Sequence, residues 1–250
     1  MSEAEDLMKN GFSLIDKGKY LDGLRELSKL EPQFQSKSNE EAADLFLGIS
    51  QAYYGMTPSN DENSLKYADL AIEIHKKLGI TPMVISDLLY SSFIETDAGK
   101  LPEAEKRIDQ AIELARSSKD TEELPELLNS KADLLSTIKK RRKESAALYI
   151  EASKTANDSG NPQAYFHSRT GLIKLKRLDG LDPEKALDEA MKVIEEAESL
   201  AAQIKNKKER KDFIDDISEI YDIATDLAME MEKVDLAISI AERMTKAQSK

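Results

Sequence analysis

The stretch GKLPEAEKRIDQA at residues 99–111 places a glycine turn directly before small and apolar residues at helical spacing. Ala104, Ile108 and Ala111 are four and three residues apart, so their side chains lie on one face of an α-helix. Gly99 marks the end of a preceding helix, since glycine readily adopts the backbone conformation found after helix C-termini. The stretch therefore predicts two helices joined by a tight turn.

The same arrangement occurs six times along the chain, at intervals of 41, 40, 41, 41 and 51 residues. We call the residues that form it the anchor positions. The first residue of each copy is small: Gly23, Ser64, Ala104, Ser145, Ala186 and Ala237. Four residues later come Leu27, Ala68, Ile108, Tyr149, Ala190 and Ala241, and seven residues later come Leu30, Ala71, Ala111, Ala152, Val193 and Met244. A repeat of this length predicts stacked helix pairs, because one pair cannot bury its own apolar face.

We predict an all-α fold, a right-handed superhelical solenoid of about six antiparallel helix pairs, which forms a single domain over residues 1–250. The pairs are predicted at about residues 3–31, 39–79, 82–118, 121–159, 161–206 and 207–248. In the last pair, six apolar residues at alternating spacings of four and three predict a continuous helical seam: Phe213, Ile217, Ile220, Ala224, Leu227 and Met231. We expect this pair to cap the array, and self-association through the C-terminal helices is the alternative.

Turn and cap residues support the division into helices. Three helix starts are predicted where an N-cap residue precedes proline: Thr81-Pro82, Asn161-Pro162 and Asp182-Pro183. Turns between the two helices of a pair are predicted at Gly18, Gly99 and Gly180. No segment shows the sustained alternation of apolar and polar residues that is typical of a strand.

The first copy of the pattern resembles a tetratricopeptide repeat. The residues that carry the resemblance are Asn10, Gly11, Gly18, Lys19, Tyr20, Gly23, Leu27 and Leu30, and residues 99–111 resemble the family most closely. Two features depart from the family. The interval is about 41 residues rather than about 34, and the fourth copy has Asp133 where a small residue is expected and Lys140-Arg141-Arg142 where a turn glycine is expected. HEAT-like repeats, with a period of about 40 residues, are the structural alternative.

This architecture implies a scaffold that binds a peptide or helix of a protein partner in a concave groove lined by the first helix of each pair. We predict six groove residues: Tyr90, Phe93, Lys131, Leu134, Tyr165 and Arg169. Tyrosine and arginine are enriched at binding hot spots. The alternative for each residue is packing against the neighbouring helix. Because two of the six are cationic, we expect the partner segment to combine apolar anchors with some acidic residues.

Charge is distributed unevenly along the chain. It carries 36 basic and 48 acidic residues, a net charge of −12, so a polyanion is a poor partner for the whole surface. Residues 101–180 nevertheless contain 15 basic and 13 acidic residues, and their densest part, which we call the basic segment, is Lys139, Lys140, Arg141, Arg142 and Lys143. This segment supports an alternative function, a regulatory protein associated with nucleic acid or another anion. No aromatic residue is interleaved to stack on bases, which disfavours nucleic acid, and a solvated turn is the other interpretation.

The sequence contains no pattern typical of catalysis, cofactor binding or metal binding. Cysteine is absent, and His75 and His167 lack a second ligand at metal-binding spacing. No glycine-rich phosphate loop or nucleophile elbow is found. The carboxylate pairs Asp215-Asp216 and Glu195-Glu196 are interpreted as solvated helix faces. We therefore predict that the protein is not an enzyme and has no catalytic residues, no metal site and no cofactor.

The N-terminal residues 1–6 are acidic and lack the apolar region of a signal peptide. No apolar run approaches the length of about 18 residues that a transmembrane helix requires. We therefore expect a cytoplasmic protein with no membrane span.

Overall fold

The structure is a computed structural model that describes residues 3–118 and 122–249. Over these two ranges it consists of helices and connecting turns, with no strand. It divides into two compact units, Met1–Asp120 and Thr121–Lys250, which we call unit 1 and unit 2, where the sequence predicts a single domain. No helix in the described ranges is both long enough and apolar enough to cross a lipid bilayer.

Unit 1 contains three helix pairs and one short helix in its described residues. Its helices are α1 (Glu3–Asp16), α2 (Tyr20–Ser28), α3 (Glu31–Phe34), α4 (Glu40–Gly55), α5 (Asp61–Leu78), α6 (Thr81–Asp97) and α7 (Leu101–Ser118). Helix α1 packs on α2, α4 on α5, and α6 on α7, while α2 contacts α4 and α5 contacts α6. The sequence does not predict α3, a single turn between the first two pairs.

Unit 2 continues the pairing and ends in three helices, of which the first two are short. Its helices are α8 (Leu124–Ser136), α9 (Arg142–Ser159), α10 (Pro162–Leu178), α11 (Pro183–Ala201), α12 (Lys207–Asp216), α13 (Glu219–Glu230) and α14 (Val234–Ser249), with a short 3-10 helix at Lys139–Arg141. Helix α9 packs on both α8 and α10, and α10 also packs on α11. Helix α11 packs on α13, and α14 packs on both α12 and α13.

The segment predicted as one terminal pair contains three helices, α12, α13 and α14. The chain turns between Asp216 and Glu219, where the amide of Ser218 donates to the carbonyl of Asp215 at 3.2 Å. The apolar spacing does not reveal this break, because Phe213, Ile217 and Ile220 are buried on both sides of it. The predicted seam is therefore interrupted, and its residues pack inside the core of unit 2.

The anchor positions are confirmed in the first five copies of the repeat, where all of them are buried. The small first residue is required by close helix crossing. A Cβ built on Gly23 would lie 2.7 Å from Cγ1 of Ile15 and 3.0 Å from the carbonyl oxygen of Gly11. In the sixth copy, Ala237 is buried but Ala241 is exposed. Ala241 lies on α14, the last helix that the structure describes.

The predicted turns and caps are largely confirmed. Positive φ angles of 72°, 73° and 94° occur at Gly18, Gly99 and Gly180. The side chains of Asn161 and Asp182 accept hydrogen bonds from the backbone at the starts of α10 and α11. Thr81 is a correction, because it is the first residue of α6 and the N-cap is Ile80, whose side chain cannot accept a hydrogen bond.

Candidate functional site

Unit 2 contains an open cleft of about 730 Å³ beside the turn that joins α9 to α10. One side is formed by this turn and the first turns of α10, and the other by the C-terminal half of α11. Pro162, Phe166 and Leu200 supply apolar surface, while Tyr165, Glu195 and Glu196 add polar groups. Such a mixture of apolar surface and a few polar groups is typical of binding sites.

The cleft follows from the local sequence at the turn. Gly160 has a φ of 72°, which ends α9 and reverses the chain within two residues. Asn161 then caps α10, since its Oδ1 accepts from the amide of Ala164 at 2.9 Å. This short connection places Tyr165 in the second turn of α10, directly at the cleft.

Tyr165, Arg169 and Glu196 form one hydrogen-bonded group at the edge of the cleft. Nη1 of Arg169 donates to the hydroxyl of Tyr165 at 2.5 Å and to Oε2 of Glu196 at 3.1 Å. The Tyr165 hydroxyl donates to the same Oε2 at 3.2 Å. The structure thus brings together two predicted groove residues, and it adds a carboxylate from α11 that the sequence does not predict. These bonds hold the tyrosine ring in one orientation against the cleft.

The Tyr165 ring also packs against neighbouring aromatic rings. Its centroid lies 5.2 Å from that of Phe166 in an edge-to-face arrangement. Phe166 is buried and lies 5.9 Å from Phe213, centroid to centroid. The half-buried Tyr165 ring thus packs on two further aromatic rings. A ligand in the cleft would contact a side chain that is already held in one orientation.

The two predicted groove residues on α8 do not line the cleft. Leu134 is a correction, because its exposed fraction is 5% and it belongs to the core of unit 2. Helix α8 is apolar on several sides, with Leu127, Leu128 and Leu135 also buried, so helical spacing does not identify an outward face. Lys131 is partly exposed on the same helix.

Tyr90 and Phe93 lie on α6 of unit 1. The Tyr90 hydroxyl accepts from Oγ of Ser50 at 3.3 Å, and its ring meets that of Tyr54 edge-on at 6.1 Å. Burial raises the pKa of Tyr90. Phe93 is 46% exposed. Tyr90 therefore has a packing role within unit 1, whereas Phe93 presents an aromatic surface to solvent.

The basic segment is partly used for contacts inside unit 2. Arg141 makes a two-pronged ion pair with Glu144, with distances of 2.8 and 2.9 Å. Nη1 of Arg142 donates to the carbonyl of Leu178 at 2.9 Å and to Oδ1 of Asp179 at 3.0 Å, at the C-terminus of α10. The remaining members, Lys139, Lys140 and Lys143, are exposed.

Asp133, the departure from the repeat pattern, has a structural role on α8. One oxygen accepts from the hydroxyl of Tyr149, and Oδ2 lies 2.9 Å from Nε2 of His167. Tyr149 in turn fills the space above Gly171, where a Cβ would lie 2.4 Å from its ring. Asp133 therefore links α8 to α9 and α10. No three histidine or carboxylate side chains in the described ranges are grouped to hold a metal ion.

His167 is expected to titrate above its ordinary pKa of about 6.5. The Asp133 hydrogen bond raises the pKa of His167, with a further contribution from Glu219, while burial and Lys174 oppose it. The ion pair contributes stability that is present below pH about 6.5 and is lost as the pH rises through the raised pKa. A proton NMR titration should show Asp133→Asn lowering the pKa of His167.

A matched control for this titration is Asp179→Asn, which removes a carboxylate of unit 2 that pairs with Arg142 instead. The control should leave the pKa of His167 unchanged, and His167→Gln assigns its resonance. An unchanged pKa in Asp133→Asn would contradict the assigned ion pair.

The comparisons with known proteins concern the fold. The sequence matches no family model, and a search of curated proteins gave no match. Solved structures do match. A putative kinesin light chain of Podosopora anserina with TPR-like repeats aligns at a TM-score of 0.62 and 10% identity, over 77% of this chain and 95% of that one. The protein has a tetratricopeptide-repeat-like fold.

Two further structures extend this result to nearly the whole chain. A signal-transduction ATPase of Pyrococcus horikoshii with a tetratricopeptide repeat sensor aligns at a TM-score of 0.68 and 13% identity, over 99% of this chain and 39% of that one. NprR in complex with its cognate peptide NprX aligns at a TM-score of 0.60 and 13% identity. The alignment covers 98% of this chain and 66% of that one. The predicted all-α helical-repeat class and the resemblance to tetratricopeptide repeats are confirmed.

Proposed function

We propose that the protein is a non-enzymatic interaction scaffold that binds a peptide or helix of a partner protein in the cleft of unit 2. The observation that carries this proposal is the ordered Tyr165 at an open cleft with apolar surface. Tyrosine supplies a large contact area at low conformational cost, and arginine and tyrosine are enriched among residues that dominate binding energy. Arg169 contributes by fixing the ring.

The size of the cleft suits a short segment. Its volume of about 730 Å³ falls in the range of about 300–1,000 Å³ found for ligand sites. A few side chains of a partner fit this space, while the rest of the partner would contact the rim. The solved complex of NprR with its cognate peptide supports the proposal by analogy, because that protein shares the fold.

The alternative function, anion binding, depends on the exposed Lys139, Lys140 and Lys143 of the basic segment. The two modes differ in their response to salt. Binding through these lysines would weaken steeply as the salt concentration rises, whereas binding of an apolar anchor in the cleft would persist.

Tyr165→Ala is expected to weaken peptide binding by about thirtyfold, the loss typical of a hot-spot residue. The probes are labelled peptides selected from a random peptide library against the full chain, and the measurement is fluorescence anisotropy. Tyr165→Phe keeps the ring and should retain most of the affinity.

The control for this experiment is Ile150→Ala on α9. Ile150 is 61% exposed and does not line the cleft, so its loss should change neither binding nor helicity. If no selected peptide depends on Tyr165, while the variant keeps the helicity and melting temperature of the wild type, the cleft is not the binding site.

A further inference from the structure

We infer that the segment held by the cleft carries lysine or arginine side chains beside its apolar anchor; this inference rests on the proposed function and specifies its ligand. It differs from the sequence-based expectation of a partially acidic partner. The difference arises because the structure shows which charged side chains surround the cleft: among the described residues these are carboxylates, apart from Arg169, which pairs with Glu196.

A second depression adjoins the cleft across the α9–α10 turn. Its volume is about 560 Å³, and it shares Gly160, Asn161 and Pro162 with the cleft. The turn is therefore a low ridge with the apolar cleft on one side and a polar depression on the other. A bound segment that leaves the cleft over this ridge would enter the polar depression.

Among the residues that the structure describes, every charged side chain that lines either depression is a carboxylate. Glu195 and Glu196 line the cleft, and Glu122, Glu126 and Asp216 line the second depression. These residues come from three helices, α8, α11 and α12, and from the segment just before α8, so no single sequence run produces the charge. Folding concentrates them around the first turn of α10.

Positive groups offset part of this charge, and Arg243 is one of them, since it interacts electrostatically with Glu195. Arg169 pairs with Glu196 at 3.1 Å, which accounts for one carboxylate. The N-terminus of α10 contributes roughly half an elementary positive charge, which also explains why carboxylates are stable beside it. Even with Glu122 left out of the count, the positive charge of these groups is smaller than the negative charge of the other four carboxylates. The surface that the described residues present to a ligand is therefore net negative.

This charge complements a cationic segment and opposes an acidic one. Charges at the rim of an interface set the orientation and the rate of association, while the buried apolar anchor supplies affinity. An acidic side chain placed in the second depression would face like charges from Glu126 and Asp216. The same arrangement thus selects for basic segments and against acidic ones.

The experiment uses the peptides selected from the random library on the full chain. Those whose binding depends on Tyr165 are expected to be enriched in lysine and arginine next to an apolar residue. Their affinity should fall only moderately as salt rises, because the apolar anchor keeps its contribution. Glu195→Gln combined with Asp216→Asn should weaken them by about three- to tenfold and reduce their salt dependence, as expected for two partly solvated charge pairs.

A matched control removes two carboxylates elsewhere in unit 2. Asp188→Asn combined with Asp226→Asn changes the net charge equally, but neither residue lines a depression. This control should leave the affinity within about twofold of the wild type, because screening weakens distant surface charges. An equal loss in both double variants would assign the effect to overall charge and overturn the inference.

The outcomes separate this inference from the proposed function. Tyr165-dependent peptides that are neutral or acidic would overturn the basic-segment inference and leave the binding function intact. Basic peptides that bind equally well to Tyr165→Ala would show that charge alone attracts them, and this result overturns both. A lysine-rich probe without an apolar residue should bind at least tenfold more weakly than the selected peptides, since it lacks the anchor.

Discussion

Ala152→Arg is expected to destabilise unit 2 by more than about 4 kcal/mol, which is among the largest losses that single substitutions cause. Ala152 has an exposed fraction of 0% on α9, a helix that packs on both α8 and α10. An arginine there has no room for its side chain and would bring a charge into the core without a partner. Thermal unfolding followed by far-UV circular dichroism measures the loss.

The matched control lies two residues away on the same helix. Ile150→Arg introduces the same side chain at a position that is 61% exposed, so its melting curve should stay close to that of the wild type. If Ala152→Arg and Ile150→Arg both have the melting temperature of the wild type, the anchor positions do not lie at a packed helix crossing.

The anchor positions could be predicted from sequence because their requirement is local and repeated. A close crossing of two helices needs a small residue, and five copies at intervals of 40 or 41 residues make the requirement visible. Gly23 shows the physical reason, since any Cβ there would contact Ile15 and the backbone of Gly11. The break between α12 and α13 was not predictable in this way, because Ile217 and Ile220 keep the apolar spacing through it.

The binding cleft was only partly predictable. Tyr165 and Arg169 lie one turn apart on a first helix, so helical spacing alone places them on one face. Glu196 is separated from Tyr165 by 31 residues, and its contribution depends on how α11 packs on α10. The sequence pair Glu195-Glu196 has no feature that distinguishes a cleft wall from an ordinary solvated helix face.

Asp133 shows that a departure from the repeat pattern can indicate a specific set of contacts. It breaks the small-residue pattern of the repeat, and in the structure it bonds to Tyr149 and His167. A polar residue at a position where the repeat has a small one indicates that hydrogen-bond partners lie nearby. Its partners, however, lie 16 and 34 residues away on other helices, so they could not be named from the sequence.

His75→Leu is expected to destabilise unit 1 by about 3 kcal/mol or more, because it leaves the buried Asp87 side chain without its hydrogen-bond partner. Nδ1 of His75 on α5 lies 2.7 Å from Oδ2 of Asp87 on α6, and the two side chains are only 2% and 5% exposed. Without the imidazole, the Asp87 carboxylate would be buried without this hydrogen bond and would still face Asp44. Chemical denaturation followed by circular dichroism measures the loss.

The double variant distinguishes the loss of the His75–Asp87 hydrogen bond from the loss of side-chain packing. His75→Leu combined with Asp87→Leu replaces both polar groups by apolar ones, and such replacements are often neutral or stabilising. We therefore expect the double variant to be more stable than His75→Leu alone. The control is Glu73→Leu on α5, an exposed position where the free energy of unfolding should change by less than about 0.5 kcal/mol.

The pH dependence of His75→Leu provides an independent check on this mechanism. Burial raises the pKa of Asp87, and the hydrogen bond from His75 opposes that rise. Removing His75 should therefore raise the pKa further, so that Asp87 takes up a proton in the folded variant. A carboxyl group whose pKa is raised by folding costs nothing below its unfolded pKa of about 3.9, and its full cost develops as the pH rises through the folded value. The deficit of the variant relative to the wild type should thus shrink as the pH is lowered from neutral, and a deficit that is independent of pH would point to lost packing instead.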